Sequence, residues 1–261
     1  MGTGRQGRPW YRRTARRQRP PAGRVAAGRS TQRVRIPRLY SRGGVASDVI
    51  ALDPELARRI SRVLRLRDGA RVDLFDGKGN EVEGVLAGAT VEVTRRYTAV
   101  EEGPEVHLYP ALIRANRFDW LVEKTVELGA TEIHPVRCAR SIVDEGGGRL
   151  ERWRRIAVEA AEQSERRIVP AIHEPVAFAD GIRHAAGELI VAWEAERAGQ
   201  GWPGGAAGRV SLFSGPEGGY TEDEIALARE AGATTVGLGP FVLRAETAAI
   251  ALVALVRNRA G

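Results

Sequence analysis

The stretch that decides the fold is FSGPEGGYTEDEIALARE (213–230), followed by GLGPFVLRAETAAIA (237–251). It contains two glycine-rich loops, 215–219 and 237–244, and each follows a short β-type run and leads into a helical pattern. Glycine lets the backbone approach a ligand closely, because it has no Cβ. Two such loops at neighbouring strand ends form the crevice in which open α/β sheets bind ligands. The stretch therefore predicts a small-molecule site.

A charged cluster, Arg244-Ala245-Glu246-Thr247, stands at the exit of the second loop. A guanidinium stays charged and forks onto planar oxygens, so Arg244 suits a phosphate or a polarised carbonyl. Glu246 is a candidate partner that orients it. The alternative is that both residues merely cap the last helix, and the residues alone leave the ligand undetermined.

The composition bounds the class of protein. A chain of 261 residues with 43% hydrophobic residues is large enough for one large or two small domains with a real core. No apolar run reaches the roughly 18–20 residues that a membrane helix needs. The N-terminus lacks the apolar region of a secretory signal. We therefore expect a cytoplasmic protein without membrane contact.

Residue types that bind metals are sparse. The single cysteine, Cys138, excludes an internal disulfide and any multi-cysteine metal site, and we expect it to be a small buried residue. The four histidines, His107, His134, His173 and His184, are scattered without ligand spacing. The sequence therefore predicts no metal site.

The net charge of +7 is unevenly distributed. Residues 1–32 carry nine arginines and no acid, residues 33–78 carry a net charge of +5, and residues 79–261 carry −7. A basic front half suggests that it holds a polyanion. The alternative is a solvated surface with an arginine-rich codon bias, because the chain contains only two lysines.

Three segments follow from the pattern along the chain. Residues 1–32 are predicted to be a disordered basic tail, either an RNA-binding arm or the result of a misplaced start codon. A mitochondrial presequence is a third option, but the glycine and proline content argues against the amphipathic helix that it needs. Residues 33–100 are predicted to be a small β-rich domain with a hairpin turn at 76–80 and one helix over 54–66, capped by Asp53. Its strands are predicted at 33–39, 70–75, 81–86 and 90–96.

Residues 105–261 alternate between strand and helix patterns, which predicts a mainly parallel sheet covered on both faces. Thr221 and Glu224 form a capping box at the start of one helix. Strands are predicted at 106–113, 132–136, 188–193, 210–213 and 234–238. Helices are predicted at 118–128, 149–166, 175–184, 222–231 and 245–258.

Taken together, several blocks of residues 33–261 resemble the bacterial 16S rRNA (uracil-N3)-methyltransferases, a family of the knotted SPOUT superfamily. The blocks are RIPRLY (35–40), RVLRLRDG (62–69), LFDG (74–77), EKTVELG (123–129), EAAEQSER (159–166), GPEGG (215–219) and LRAETA (243–248). One departure lies before the first helix of the second domain, where the family often has Gly and Lys and this chain has Asn116-Arg117-Phe118.

The resemblance implies a PUA-like β-barrel domain followed by a trefoil-knotted α/β SPOUT domain, acting as a homodimer. The implied activity is methyl transfer from S-adenosylmethionine to N3 of a uridine in 16S rRNA or the small ribosomal subunit. A sulfonium methyl is already electrophilic, so this reaction needs no metal. Arg244 is the candidate that stabilises charge on the uracil oxygens or orients the loop, and Glu246 is the candidate base or partner.

The resemblance also implies two sets of binding residues. The cofactor is expected to contact Ala192, Trp193, Gly215, Pro216, Glu217, Gly218, Gly219, Leu238, Gly239, Val242, Leu243, Arg244 and Thr247. The RNA phosphates are expected to contact Arg35, Arg38, Arg62, Arg65, Arg67 and Arg166.

Two other functions stay open. A related knotted methyltransferase that acts on 23S rRNA or tRNA would have the same cofactor loops. A non-catalytic RNA-binding assembly protein that kept the fold would need neither the glycine-rich loops nor Arg244. A nucleotide-dependent oxidoreductase is not supported, because GTGRQG (2–7) is the one G-x-G-x-x-G match and no strand precedes it.

Overall fold

The structure is a computed structural model that describes residues 36–98, 103–141, 148–196 and 208–259. The predicted tail over 1–32 and the predicted RNA ligand Arg35 lie outside these residues. The described residues from Ile36 onward form one compact unit that contains a five-stranded sheet, a six-stranded sheet and a separate two-stranded pair.

The first sheet has five strands in the order β1-β3-β4-β5-β2, in which β1 and β3 are parallel and the other pairs antiparallel. The strands are β1 (Arg38–Tyr40), β2 (Val49–Ala51), β3 (Arg71–Phe75), β4 (Asn80–Ala87) and β5 (Thr90–Thr98). Alternate residues such as Val72, Leu74 and Val82 point into a small core of their own. The sequence missed β2, because three residues give too short a pattern to recognise.

The predicted helix over 54–66 begins as expected but ends differently. Asp53 accepts hydrogen bonds from the backbone N–H groups of Glu55 and Leu56 at 3.0 and 2.9 Å, and Pro54 is the first residue of α1 (Pro54–Arg58). The chain then widens into a π-helical turn over Arg59–Val63. Arg65 leaves that turn in the left-handed region, with φ of 53°. The continuous α-helix to residue 66 is therefore a wrong prediction.

The predicted hairpin turn at 76–80 is confirmed and has a second role. The Asp76 carboxylate accepts hydrogen bonds from the backbone N–H groups of Lys78 and Asn80 at 2.7 and 3.1 Å. The turn also bonds to residues 167–169, which belong to the second half of the chain. Gly79 N donates to Arg167 O, and Val169 N donates to Gly77 O. The hairpin thus docks the first sheet on the second.

The second sheet has six strands in the order β13-β11-β12-β6-β7-β9, and every pair in it is parallel. Its strands are β6 (Glu105–Pro110), β7 (Glu132–Ile133), β9 (Ala171–Ile172), β11 (Glu188–Ala192), β12 (Arg209–Ser214) and β13 (Thr234–Val236), with β8 (Val136–Arg137) and β10 (Val176–Ala177) in a separate pair. The predicted strand over 132–136 is split in two, because Pro135 has no N–H for a ladder. The sequence missed the two-residue strand β9, and β10 occupies the start of the helix predicted over 175–184, which begins only at Phe178.

Helices cover both faces of the second sheet. They are α2 (Ala115–Glu127), α3 (Arg149–Gln163), α4 (Phe178–His184), α5 (Glu222–Glu230) and α6 (Ala245–Arg259). One core joins α2, α3 and α6 to the face that carries Leu108 and Leu212. A second core joins α4 and α5 to the face that carries Tyr109 and Phe213. Cys138 is buried in this second core, as predicted, and burial raises the pKa of its thiol.

Two arginines fasten the first sheet to α3. Arg38 donates to Glu81 at 2.9 Å and to the carbonyl oxygens of Ala161 and Arg166 at 3.0 and 2.8 Å, and its guanidinium lies 3.9 Å from the centre of the Phe75 ring. Its side chain is only 10% exposed. These contacts occupy Arg38 within the fold.

Arg59 makes the second fastening. Its guanidinium donates two hydrogen bonds to Glu162 at 2.7 and 3.0 Å, and the same carboxylate accepts from Tyr40 N at 2.9 Å. Glu162 is buried, so a forked pair holds a charge that would otherwise be costly. The EAAEQSER block is thus explained in part by the contact of α3 with β1 and the π-helical turn.

Three of the four histidines are not scattered, which corrects the sequence interpretation. The rings of His107, His134 and His173 lie next to one another on β6 and at the ends of β7 and β9, around Glu132. Only His184 stands apart, on α4. Among the described residues, no helix has the length and apolar character needed to cross a membrane.

Candidate functional site

The two glycine-rich loops meet at one edge of the second sheet. The loop over 215–219 follows β12, the loop over 237–244 follows β13, and Trp193 and Glu194 follow β11, which lies between those two strands. The three strands are parallel, so their carboxyl ends lie side by side. This is the place where open α/β sheets bind ligands, as the sequence predicted.

A cavity of about 330 Å³ lies between these loops, within the size range of small-molecule sites. Its walls include eleven of the thirteen predicted cofactor residues. These are Ala192, Trp193, Gly215, Pro216, Glu217, Gly219, Leu238, Gly239, Val242, Leu243 and Arg244. Gly218 and Thr247 do not line it. Apolar walls with a few charged groups suit a ligand with both a flat apolar part and a polar part.

Glycine is required at two positions of the wall. Gly219 has φ of +71°, and a Cβ on it would lie 2.8 Å from the Glu194 carboxylate. Gly239 has φ of +112°, a conformation that residues with a side chain rarely adopt. The backbone therefore follows a path around the cavity that depends on glycine.

The first loop is held from outside the cavity. Arg140 donates to Gly218 O at 3.0 Å, and Ala139 N donates to Glu224 at 2.8 Å. The predicted capping box is confirmed, because Thr221 and Glu224 exchange hydrogen bonds at the start of α5. Loop and helix start are thereby fixed to the segment after β8.

Arg117 joins two carboxylates beside the cavity. It donates to Glu217 at 3.1 Å, and its Nε lies 3.9 Å from Glu246. Glu246 is 5% exposed, and its second oxygen has no hydrogen-bond partner among the described residues. A buried carboxylate in the first turn of α6 is stabilised by the helix dipole and by the nearby guanidinium.

Arg244 lies in the opposite situation. It is exposed at the cavity wall, and its guanidinium makes no ion pair or hydrogen bond with any residue in the described ranges. The predicted partnership of Arg244 with Glu246 is not present, because Arg117 is the cation beside Glu246. Arg244 therefore has all its donors available for a ligand.

The arginines predicted to bind RNA fall into two groups. Arg38 and Arg166 are engaged inside the fold, Arg38 as described above and Arg166 through the carbonyl oxygens of Val126 and Ala130 at 2.7 and 2.9 Å. The exposed group consists of Arg62, Arg65 and Arg67, at and just after the π-helical turn. No partner engages these three side chains in the part of the chain that the structure describes.

The sequence interpretation missed five residues of the cavity wall. They are Arg117, Glu194, Phe241, Ala245 and Ala248. Glu194 follows the predicted pair Ala192 and Trp193 directly, so a longer strand end would have included it. Ala245 and Ala248 lie one turn apart on α6. The sequence indicated Arg117 only as a departure from the Gly and Lys that the family often has there. Its place beside the loops is set by tertiary contact, which the sequence does not show.

Comparison with known proteins gives matches to two families. Residues 101–257 match a family described as "RNA methyltransferase domain", and residues 60–94 match one described as "RNA methyltransferase PUA domain". These matches confirm the predicted fold class, a PUA-like domain followed by an α/β domain with a mainly parallel sheet.

Curated relatives and a crystal structure agree with these matches. A Synechocystis protein called "Ribosomal RNA small subunit methyltransferase E" is 34% identical over 200 residues, which are 72% of this chain and 66% of that protein. The Bacillus subtilis protein of the same name is 33% identical over 74% of this chain and 84% of its own length. A Neisseria gonorrhoeae protein of that name, solved bound to S-adenosyl methionine, has a TM-score of 0.78 and 30% identity over 85% of this chain and 97% of its own.

Proposed function

Since this chain belongs to the RNA methyltransferase family, we propose that it transfers a methyl group from S-adenosylmethionine to N3 of a uridine in 16S rRNA. The observation that carries the proposal is the cavity at the ends of β11, β12 and β13, with the unpaired Arg244 at its wall. The resemblance noted in the sequence supports the uridine and the atom. The small-subunit rRNA is supported by the names of the relatives.

The residues of the cavity fit S-adenosylmethionine. Leu238, Leu243 and Ala192 offer an apolar wall to the adenine ring, and Glu194 offers carboxylate oxygens to hydroxyl or ammonium groups. The glycines at 215, 219 and 239 keep side chains out of the space. When bound, this cofactor supplies an electrophilic methyl group.

The task left to the chain is to favour the nucleophilic form of uracil. N3 of uridine is a weak nucleophile until it loses its imide proton, and the resulting anion carries charge on O2 and O4. A guanidinium at one of those oxygens stabilises the charge as it forms. Arg244 is the unpaired cation of the cavity and takes this role in the proposal. Its five donors also let it orient the base.

Of the two roles predicted for Glu246, base or partner of a guanidinium, the geometry favours the second, with Arg117 in place of Arg244. A buried carboxylate beside Arg117 is suited to holding that guanidinium and the start of α6 in place. We therefore assign Glu246 to positioning through Arg117, and the group that accepts the imide proton is not assigned to it. Arg117 in turn holds Glu217 at the first loop.

The rRNA is gripped, in this proposal, by the exposed Arg62, Arg65 and Arg67. They lie beside the β-rich sheet, whose residues 60–94 match an RNA methyltransferase PUA domain. The backbone of Arg65 is in the left-handed region, with φ of 53°. Backbone strain of this kind is often found at functional sites. Arg38 and Arg166 are not carried into the proposal, because their guanidinium groups already bond to the fold.

A second copy of the chain is proposed to complete the site. Phe241 and Val242 line the cavity, yet they are 78% and 68% exposed. Trp120 on α2 and Leu255 on α6 are further exposed apolar side chains of this domain. An apolar patch of this kind beside a binding site marks an interaction surface. We also propose that the α/β domain contains the trefoil knot implied by the resemblance and that the protein is cytoplasmic.

The test uses a strain that lacks this gene, with and without the gene restored. A methyl group on N3 blocks the Watson–Crick edge of uridine, so reverse transcriptase stops there on the 16S rRNA. We expect a stop that disappears on deletion and returns with the wild-type gene, but not with Arg244→Ala. Arg183→Ala is the matched control. Arg183 is exposed in the last turn of α4, at the amino ends of the strands and away from the cavity, so this variant should restore the stop.

A stop that is unchanged by deletion would remove the 16S assignment. The same RNA preparation, probed across 23S rRNA and tRNA, then distinguishes a related methyltransferase from a protein without activity. Binding of S-adenosylmethionine to the purified protein separates these last two, because a non-catalytic assembly protein has no need of the cofactor.

A further inference from the structure

Parallel pairing places three histidines and a glutamate on one face of the second sheet. His107 on β6 is the register partner of Glu132 on β7. His134 follows β7 and His173 follows β9, and their backbone N–H groups continue the two ladders to Leu108 O and Ile133 O. Residues two apart on a strand share a face. Thus His107, Glu132, His134 and His173 must all project to the same side.

The donor atoms of three of these residues converge. His134 Nε2 lies 3.3 Å from His107 Nδ1 and 3.1 Å from Glu132 Oε2. One ligand atom from each of His107, Glu132 and His134 falls within 4.8 Å of the other two. Bonds of 2.0–2.2 Å to zinc in a tetrahedral arrangement separate the ligand atoms by roughly 3.3 Å. The two spacings from His134, 3.3 and 3.1 Å, match that figure.

His173 has a different place in the cluster. Its Nε2 lies 2.8 Å from Glu132 Oε2, and its ring stacks on His134 at 4.1 Å between ring centres. It is thus positioned to hold the carboxylate, as outer hydrogen-bond partners of metal ligands do. Tyr109 stacks on the other side of His134 at 4.5 Å. The His134 ring is fixed between two neighbours.

The chemistry of this donor set is that of a zinc site. Two imidazoles and one carboxylate are a known ligand set for Zn²⁺, with a fourth position left for water. His107 is buried, whereas His173 and Glu132 are partly exposed, so an ion can enter from solvent. The neighbouring acid, Glu105, lies 3.9 Å from His107 Nε2 and is paired with Arg209 at 2.8 Å.

We propose that His107, Glu132 and His134 bind one divalent transition-metal ion, with Zn²⁺ as the natural occupant and His173 as the residue that positions Glu132. The ion would tie β6 to the two-residue strand β7 at the edge of the sheet. The site shares no residue with the cofactor cavity, so its role is to stabilise the fold. This proposal departs from the expectation, drawn from the sequence, that the chain holds no metal.

The test adds CoCl₂ or ZnSO₄ alone to the full-length, metal-stripped protein without a histidine tag. We expect one Co²⁺ per chain with the visible absorption of a four- or five-coordinate ion, which Zn²⁺ displaces. At a hundredfold excess over Kd, Zn²⁺ should raise Tm by about 5–10 °C. His134→Ala should abolish both effects, and His173→Ala should weaken binding about tenfold or more.

His184→Ala is the matched control, because His184 is exposed on α4 and outside the cluster. It should leave Co²⁺ binding unchanged. Tm without metal shows whether each variant is folded. If His134→Ala fails to fold, the loss of Co²⁺ affinity in His173→Ala tests the proposal instead, because His173 is exposed and its replacement disturbs the fold less. No binding by the wild type, binding that survives both variants, or equal loss in His184→Ala would each overturn the proposal.

Discussion

Two arginines at the cavity illustrate how surroundings decide what the same side chain does. Arg117 is held between Glu217 and Glu246, so its charge is used to keep two elements together. Arg244 has no such partner and faces the cavity. An arginine with satisfied donors positions its neighbours, whereas one with free donors is available to a substrate. The two therefore call for different tests.

Arg244→Ala should lower kcat without a comparable loss of cofactor affinity. Removing one group that stabilises developing charge costs roughly 10²–10³ in kcat, whereas the apolar wall of the cavity is unchanged. Methyl transfer to 16S rRNA gives kcat, and titration with S-adenosylmethionine gives Kd. Equal losses in both, with unchanged Tm, would make Arg244 a cofactor-binding residue instead.

Arg117→Ala should destabilise the protein by about 1–2 kcal/mol, because it leaves the Glu246 carboxylate buried without its nearest cation. Urea unfolding measures the loss. Glu246→Gln in the same chain should recover part of it, since the neutral amide costs less to bury. Arg183→Ala, on the exposed surface of α4, serves as the control. A double variant that is less stable than Arg117→Ala would contradict the positioning role.

Asp73 should make stability depend on pH. Burial raises the pKa of its carboxyl to about 6 from 3.8, and the nearby carboxylates of Glu81 and Glu83 add to the rise. A raised pKa means that the folded state binds the proton more tightly, so this contribution is present below pH 4 and lost as pH rises through 6.

Asp73→Asn should therefore raise Tm at pH 8 and leave it unchanged near pH 4. At pH 8 the free energy of unfolding should rise by about 1 kcal/mol after allowance for solvent screening, which corresponds to a rise in Tm of roughly 2–4 °C for a chain of this size. Thermal unfolding at the two pH values measures it. Glu92→Gln, an exposed acid on β5, is the control. An equal shift at both pH values would rule out titration of Asp73 as the cause.

At the scale of elements, two glycines that close helix-to-strand turns offer a matched pair. Gly187 before β11 has φ of +79° and Gly232 before β13 has φ of +84°. A Cβ at Gly187 would lie 2.1 Å from the backbone oxygen of Arg209, whereas nothing lies within 4 Å of one at Gly232. Both positions impose backbone strain, and only the first adds a clash that a side chain cannot relieve.

Gly232→Ala should cost about 1 kcal/mol, the usual strain of a left-handed residue with a Cβ. Gly187→Ala should cost clearly more, about 3 kcal/mol or above, because β12 must shift to admit the methyl group. Urea unfolding of both variants gives the difference. Equal costs would show that the turn before β11 moves without disturbing the sheet.

The sequence predicted those elements whose causes are local. The capping box at Thr221, the Asp53 cap and the Asp76 turn depend on residues within four positions of each other, and all three are confirmed. The glycine-rich loops were also placed correctly, since strand, loop and helix follow one another along the chain. Local chemistry is enough for such features.

The remaining features depend on residues far apart in sequence. The ion pair between Arg59 and Glu162 joins residues 103 positions apart, and no local pattern indicates it. The histidine cluster arises from strand register between β6, β7 and β9, two of which are only two residues long. The Glu132–His134 pair of this cluster was recognisable from the sequence, because residues two apart share a face of any strand. Its partners were not.

At the scale of the whole molecule, the excess of arginine is divided between structure and surface. Arg38, Arg59 and Arg166 bond to carboxylates or carbonyl oxygens within the fold and cannot be counted toward RNA binding without breaking those contacts. The free charge of the front half is therefore smaller than its sequence suggests. The exposed Arg62, Arg65 and Arg67 are its concentrated part.

This division predicts how RNA binding responds to salt. Each phosphate contact contributes about 0.7–0.9 to the slope of log K against log salt, because it releases a condensed counterion. Changing Arg62, Arg65 and Arg67 together to Gln should flatten the slope by roughly 2–3 units and weaken binding of 16S rRNA fragments at low salt. Filter binding at several salt concentrations gives the slope.

The control for that experiment follows from the direction of the strands. Arg183, in the last turn of α4, and Arg209, the first residue of β12, lie at the amino ends of the parallel strands, opposite the cofactor loops. Changing both to Gln removes two exposed positive charges but should leave the slope unchanged within about 0.5 units. Equal flattening per charge in the two variants would mean that RNA is attracted by net charge alone. An unchanged slope in the triple variant would place the RNA on another surface, such as the one that carries the exposed Arg71, Arg95 and Arg96 of the PUA-like sheet.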